Sequence, residues 1–205
     1  MIPLVAWKGM VKRHPFSLTI FSLSSYTFIT VQEMRKSSSV TMGRMNILFV
    51  CTGNLCRSPL AEGYMRKILA DEGLLEVEVN SAGCWAGDGS PISEGAKQVA
   101  EENGFQLSAH LTRKVTHEMV ARAHIVAVMD EEQREEVVNL AAPEEDKVVL
   151  LRSFAPDGSL ERYIPDPYGD NLDSFRNVFQ LIKESVDGLY RNLVASGKLR
   201  APKEI

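Results

Sequence analysis

Four apolar residues, Ile47-Leu48-Phe49-Val50, run directly into Cys51-Thr52-Gly53-Asn54-Leu55-Cys56-Arg57-Ser58-Pro59. A short apolar run bounded by turn residues reads as a buried strand. Beyond the turn, Leu60, Tyr64, Met65, Ile68 and Leu69 recur at helical spacing until Gly73, a plausible stop. A strand that enters a helix through so short a loop fixes an α/β unit and leaves the helix N-terminus facing the loop. The backbone N–H groups of such a loop can all turn inward, and the helix adds its positive end, so an anion fits there. Arg57, five residues beyond the cysteine, offers a planar fork that matches two phosphate oxygens. A thiol at the floor of that cradle is a competent nucleophile, and the chemistry that suits it is phosphoryl transfer to and from Cys51.

Within the loop, Gly53 can take a positive φ, and Asn54 tolerates the left-handed region better than most residues. Ser58 stands where an N-cap belongs and Pro59 where proline favours the first helical position. The Ser58 hydroxyl can also donate to the Cys51 sulfur. The plainer reading, a structural cysteine in a strand–helix turn, uses none of these coincidences.

The rest of the chain alternates strands and helices. Val77-Glu78-Val79 predicts a second strand, followed by Ser81-Ala82-Gly83. Residues 93–103 predict a helix capped by Ser93 and stopped by Gly104. His124 to Met129 predicts a buried parallel strand with Asp130 capping the next helix, and Val148 to Leu151 a fourth strand. A last helix over 172–194 carries Phe175, Val178, Phe179, Ile182, Val186 and Leu189 on one face. This pattern predicts an α/β fold: one three-layer domain, a four-stranded parallel sheet with helices on both faces, and a phosphate-binding loop after strand 1. Ligands of such folds bind at the carboxyl ends of the strands, where Cys51 lies. Asp166, held between Pro165 and Pro167, is the candidate proton donor and acceptor; the alternative is a solvated aspartate in an ordinary turn. Asp170 and Asp173 read as surface or cap residues, and His117 and His124 as structural or surface residues.

Charge separates the first 44 residues from the rest. They hold Lys8, Lys12, Arg13, Arg35, Lys36 and Arg44 against Glu33, a net +5, which leaves −9 for residues 45–205 of the whole chain's −4. An acidic body argues against nucleic acid or an anionic membrane as partner, so phosphate must be drawn by a local field. Residues 16–31 are apolar but are interrupted by Ser17, Thr19, Ser22, Ser24, Ser25, Thr27 and Thr30, too short and too polar to span a bilayer. Residues 1–44 are therefore read as an N-terminal extension, disordered or translated from a misplaced start, and 45–205 as the catalytic domain. Three cysteines in a chain of 205 residues suggest a reducing compartment rather than a disulfide scaffold, which points to the cytoplasm.

The run Val50 to Pro59 resembles the signature of low-molecular-weight protein tyrosine phosphatases, and the resemblance extends from about Met45 to about Leu193. Ser81-Ala82-Gly83, the segment His110 to Thr116, Met129-Asp130 and Asp166-Pro167-Tyr168-Gly169 match the family in order. The resemblance implies a phosphoric monoester hydrolase with Cys51 as nucleophile, Arg57 and residues 52–58 around the phosphate, and Asp166 as general acid and base. It also implies that Asn54 is fixed by Ser58, Ser81 and His110. Cys56 resembles the family's second loop cysteine, which pairs with the nucleophile under oxidation; filling the loop is its other role. Cys84 has no functional account. No metal or organic cofactor is implied, since the cradle supplies the positive field, and a metal site from the three cysteines lacks a Cys-x2-Cys pair.

Trp85 and Tyr168 are the candidate aromatic walls of a slot above the cradle, with Leu55 at its rim; core packing is the alternative for Trp85. Gly169 and the short Ser81 to Gly87 stretch resemble the bacterial branch, which includes protein-arginine phosphatases carrying threonine at the position of Leu55. A branched apolar residue there favours an aromatic ring, hence phosphotyrosine, with phosphoarginine as the alternative. Arsenate reduction needs a thiol relay that the sequence lacks, and a non-catalytic phosphate-binding module would be expected to lack the nucleophile or the acid. The implied partner is a phosphorylated protein, with a bacterial tyrosine kinase as the candidate.

Overall fold

The computed structural model describes residues 44–156 and 162–199, so the expectation for the N-terminal extension lies, but for Arg44, outside the described residues. Four parallel strands, β1 (Asn46–Cys51), β2 (Glu78–Gly83), β3 (Ile125–Val128) and β4 (Val148–Leu150), form one sheet in the order β2-β1-β3-β4. Between and after them lie α1 (Arg57–Asp71), α2 (Glu94–Glu102), α3 (His117–Arg122), α4 (Glu131–Ala141) and α5 (Leu172–Ala195).

Alternation along the strands makes two cores. Ile47, Phe49, Cys51, Ile125, Ala127 and Met129 face a core built with α1, α2 and α5, while Leu48, Val50, Val126 and Val128 face a second one with α3 and α4. Strands buried on both faces therefore read as continuous apolar runs. Fully burying a side chain such as Phe49 or Ile47 stabilises the fold by about 1.5–3 kcal/mol. The long helix α5 buries the predicted stripe, Phe175, Val178, Phe179, Ile182, Val186 and Leu189.

Two local expectations are corrected. Helix α1 begins at Arg57 with Cys56 as its cap residue, so Ser58 is not the N-cap and Pro59 is the third helical residue, still in the turn whose N–H groups have no intrahelical partner. Ser81-Ala82-Gly83 ends β2 rather than following it, because pairing with β1 continues to Cys51 opposite Gly83. Asp170 and Asp173 are surface residues, the first of the two expected roles, and the cap of α5 is Asn171, whose side chain accepts from the Ser174 N–H.

From β1 the chain moves outward to β2 and then returns across β1 to β3. The reversal leaves a crevice at the carboxyl ends of β1 and β3, where α/β sheets bind ligands. Cys51 ends β1, and Asp130 lies two residues beyond β3. The segment before Asp166 joins the same edge through a hydrogen bond from Ile164 N–H to Met129 O at 2.8 Å.

Candidate active site

A backbone N–H and a serine hydroxyl meet the sulfur of the nucleophile candidate. Cys51 is buried at the end of β1; its Sγ lies 3.0 Å from Ser58 Oγ and accepts the Asn54 N–H at 3.3 Å. Ser58 is free to do this because it does not cap the helix. The first turn of α1 has no side-chain cap at all, so the positive end of a 15-residue helix opens towards the loop.

The loop's shape rests on Asn54, the one non-glycine residue with positive φ among the described residues, at 55°. Gly53 does not take that conformation, contrary to expectation; the left-handed residue is Asn54, and a network holds it there. Its Nδ2 donates to Ser58 Oγ and Ser81 Oγ, both at 2.9 Å, and its Oδ1 accepts the Arg113 N–H at 3.1 Å. His110 Nε2 lies 3.2 Å from Asn54 O. The structure thus brings Asn54, Ser58, Ser81 and His110 together.

Glu62 closes this network and was missed in the sequence. It is 4 % exposed, accepts from Ser81 Oγ at 2.5 Å, pairs with Arg66 at 2.7 Å and stands 3.8 Å from His110 Nδ1. Burial lowers the pKa of His110, and the Glu62 carboxylate opposes that shift. The signal was available: Ser58, Glu62, Met65 and Leu69 fall at i, i+4, i+7 and i+11, one buried stripe of α1. Gly83 was also undervalued. A Cβ there would lie 2.7 Å from Thr52 O and 2.8 Å from Asn54 N, so the phosphate loop packs directly on β2.

Arg57 is 3 % exposed. Its NH1 bonds Asp130 Oδ2 at 3.3 Å and Ile164 O at 3.0 Å, and its NH2 bonds Thr52 Oγ1 at 2.8 Å and Asp166 Oδ2 at 2.5 Å. Its Nε–H is the one buried side-chain polar atom without a partner among the described residues. A buried donor left unpaired costs about 1–3 kcal/mol, and a phosphoryl oxygen would satisfy it. Asp130 caps α4 as expected, but its bond to Arg57 was not read from the sequence.

Leu55 is half-buried at the loop, Trp85 is 48 % exposed and Tyr168 66 % exposed. Trp85 is tied to the loop by its N–H on Thr52 O at 2.9 Å, and Tyr168 to the acid candidate by its N–H on Asp166 Oδ1 at 3.2 Å. Exposure of that extent excludes core packing for Trp85. All three cysteines are free thiols. Burial pushes Cys56 up to about 12 against the opposing hydrogen bond with Ser93 Oγ at 3.2 Å, and burial with Cys51 nearby pushes Cys84 to about 12. Both thiols are thereby held protonated at neutral pH, and Cys84 packs in the second core beside Ala82 and Val50.

Comparison with known proteins agrees with this geometry. Residues 46–199 match the model of the family described as low molecular weight phosphotyrosine protein phosphatase. The low molecular weight protein-tyrosine-phosphatase Etp of Escherichia coli K12 is 33 % identical over 140 residues, 68 % of this chain and 88 % of Etp. A protein-arginine-phosphatase of Bacillus subtilis is 32 % identical over 149 residues, 73 % of this chain and 97 % of that protein. The crystal structure of the tyrosine phosphatase Wzb from Escherichia coli K30 in complex with sulphate superposes with a TM-score of 0.64 at 30 % identity, covering 72 % of this chain and 97 % of Wzb.

Proposed function

The chain belongs to the low molecular weight phosphotyrosine protein phosphatase family, a family of phosphoric monoester hydrolases, and from that premise we propose that it hydrolyses phosphotyrosine in proteins through a cysteinyl phosphate on Cys51. In the first step Cys51 Sγ attacks phosphorus in line with the leaving oxygen. The phosphorus–oxygen bond breaks, and the phenolic oxygen takes a proton from Asp166. In the second step Asp166 deprotonates a water that attacks phosphorus, the phosphorus–sulfur bond breaks, and inorganic phosphate leaves with Cys51 restored. Residues 52–58 and the N-terminus of α1 hold the phosphoryl oxygens throughout, with Arg57 supplying the fork.

The observation that carries this reading is the sharing of Arg57 NH2 by Thr52 of the phosphate loop and by Asp166. One guanidinium thereby ties the nucleophile's loop to the acid, with the loop's sulfur already accepting the Asn54 N–H and in contact with the Ser58 hydroxyl. Leu55, Trp85 and Tyr168 offer apolar surface for an aryl ring. Phosphoarginine is the second reading, favoured by the arginine-phosphatase relative; Leu55, an apolar side chain without a hydroxyl to orient a guanidinium, weighs against it. The substrate in this reading is a phosphorylated protein, with a bacterial tyrosine kinase as the candidate, met in the cytoplasm, where free thiols persist.

The test is phosphate release from phosphotyrosine and phosphoarginine peptides with the full chain, and with Cys51→Ser as control. We expect preference for phosphotyrosine and no turnover by the variant. Preference for phosphoarginine keeps Cys51 and Asp166 in their roles and overturns the substrate; equal turnover by Cys51→Ser overturns the mechanism.

A further inference from the structure

Gln133, on the first turn of α4, is 1 % exposed and lies outside the loop, the acid segment and the aromatic mouth. The orientation of its amide is fixed by chemistry. The Met129 N–H donates to Oε1 at 3.0 Å, and an N–H can meet only the oxygen end. Nε2 therefore carries its two hydrogens to Asp130 Oδ2 at 2.6 Å and to Thr52 Oγ1 at 3.2 Å. Thr52 Oγ1 also accepts from Arg57 NH2 at 2.8 Å.

A hydroxyl has two acceptor sites and one proton to donate. Both acceptor sites of Thr52 are filled, one by Arg57 and one by Gln133, and among the described residues nothing accepts its proton. The same NH2 that donates to Thr52 Oγ1 also donates to Asp166 Oδ2. An oxygen that takes the place of Asp166 Oδ2 on NH2 therefore lies beside the Thr52 hydroxyl.

We propose that Gln133 is a positioning residue that, by occupying the second acceptor site of Thr52 Oγ1, commits the Thr52 hydroxyl proton to a phosphoryl oxygen in the cradle. The inference rests on the phosphatase reading for its substrate but concerns how the anion is held. Without Gln133 the hydroxyl turns, accepts water at the vacated site and no longer points its proton at the anion for most of the time.

A double-mutant cycle tests it. In the full chain, the affinity for inorganic phosphate is measured by calorimetry, and kcat and KM are measured on p-nitrophenyl phosphate. The proteins are wild type, Thr52→Val, Thr52→Ser, Gln133→Met, and Thr52→Val with Gln133→Met. A hydrogen bond to a charged oxygen implies a loss of about tenfold or more in phosphate affinity for Thr52→Val and for Gln133→Met. Thr52→Ser stays within about twofold of wild type, and adding Gln133→Met to Thr52→Val costs less than about twofold more, because the hydroxyl on which it acts is gone. Losses that multiply overturn the proposal, since a merely structural glutamine would act in either background. Should Gln133→Met not fold, Thr52→Val against Thr52→Ser still decides: equal phosphate affinity in the two overturns it. Failure of the phosphatase reading shows separately, as a wild type that binds phosphate without Cys51-dependent turnover.

Discussion

Replacing Asn54 separates two contributions that the loop combines, a backbone conformation and a hydrogen-bond network. In Asn54→Gly the φ of 55° becomes free of strain, but the side chain's three hydrogen bonds to Ser58, Ser81 and the Arg113 N–H are lost. At about 1 kcal/mol each, these amount to about 3 kcal/mol. Ser58 keeps Cys51 Sγ and Ala82 O as partners and Ser81 keeps Glu62, so only the Arg113 N–H is orphaned. Relief of strain returns about 1 kcal/mol, so Asn54→Gly should lose about 2 kcal/mol. Asn54→Ala loses the same bonds and must hold a Cβ in the left-handed region, which costs about 1–2 kcal/mol more than glycine. The assay is urea denaturation of wild type and both variants, with kcat on an aryl phosphate alongside. Both variants should lose kcat by about 100-fold, the scale expected when a reacting group is misplaced by about 1 Å. If Asn54→Gly matches wild type in stability and rate, the network does nothing and asparagine is there for φ alone.

Asp166→Asn should lower kcat on phosphotyrosine by about 10²–10⁴-fold, and by less on an aryl phosphate whose leaving group needs no proton; equal losses on both would remove Asp166 from the acid role. The same variant should bind inorganic phosphate at least as tightly as wild type, because the carboxylate on Arg57 NH2 is gone, whereas Asp130→Asn should bind it less tightly by loosening NH1; the reverse order would refute this division. Gly83→Ala should cost at least 1–3 kcal/mol in thermal or urea stability together with a large loss of kcat, since its Cβ meets backbone atoms of the phosphate loop at 2.7 and 2.8 Å. A stable variant with an unchanged rate would show that the loop does not depend on β2. Stability should fall as pH rises above about 9, because unfolded cysteine ionises there while buried Cys56 holds its proton up to about 12. Cys56 alone contributes up to about 1.4 kcal/mol per pH unit, with Cys84 acting in the same direction; a urea midpoint that stays level from pH 8 to 11 would contradict the burial of these thiols.

What the sequence disclosed, and what it hid, divides along physical lines. Period-2 burial on both faces made β1 and β3 legible, and the 3.6-residue stripe did the same for α5, since those patterns are local. The boundary of β2 was not legible: Asn80 and Ser81 are polar and would end a strand on composition, yet pairing to β1 and a side-chain network keep them in it. Ser58 looked like an N-cap because serine before proline at a helix start usually is one. Its hydroxyl instead serves Cys51 and Asn54, a choice decided by the neighbouring strand. Glu62, Arg113 and Gln133 were hidden because each acts across tens of residues of chain. Two of them had a local sign: Glu62 shares the buried stripe of α1, and Gln133 stands three residues after the capping Asp130, where a capping box places glutamine or glutamate.

The electrostatics of the cradle follow from the same arrangement. Arg57 faces two carboxylates, so the trio of Arg57, Asp130 and Asp166 carries no net positive formal charge when both are ionised. The attraction for a phosphate must then come from the uncapped N-terminus of α1 and the loop amides, leaving the guanidinium to supply geometry. Its two halves are not equivalent. NH1 is anchored by Asp130 and by the Ile164 carbonyl, both outside the loop, while Nε is unpaired and NH2 is bonded to an exchangeable carboxylate. A bidentate contact needs two parallel N–H groups, and Nε with NH2 is the pair that remains. On the proposed reading, a phosphoryl group that took Nε and NH2 would displace Asp166 from the fork, so the bond that holds the proposed acid beside the loop would also make its release a consequence of substrate binding.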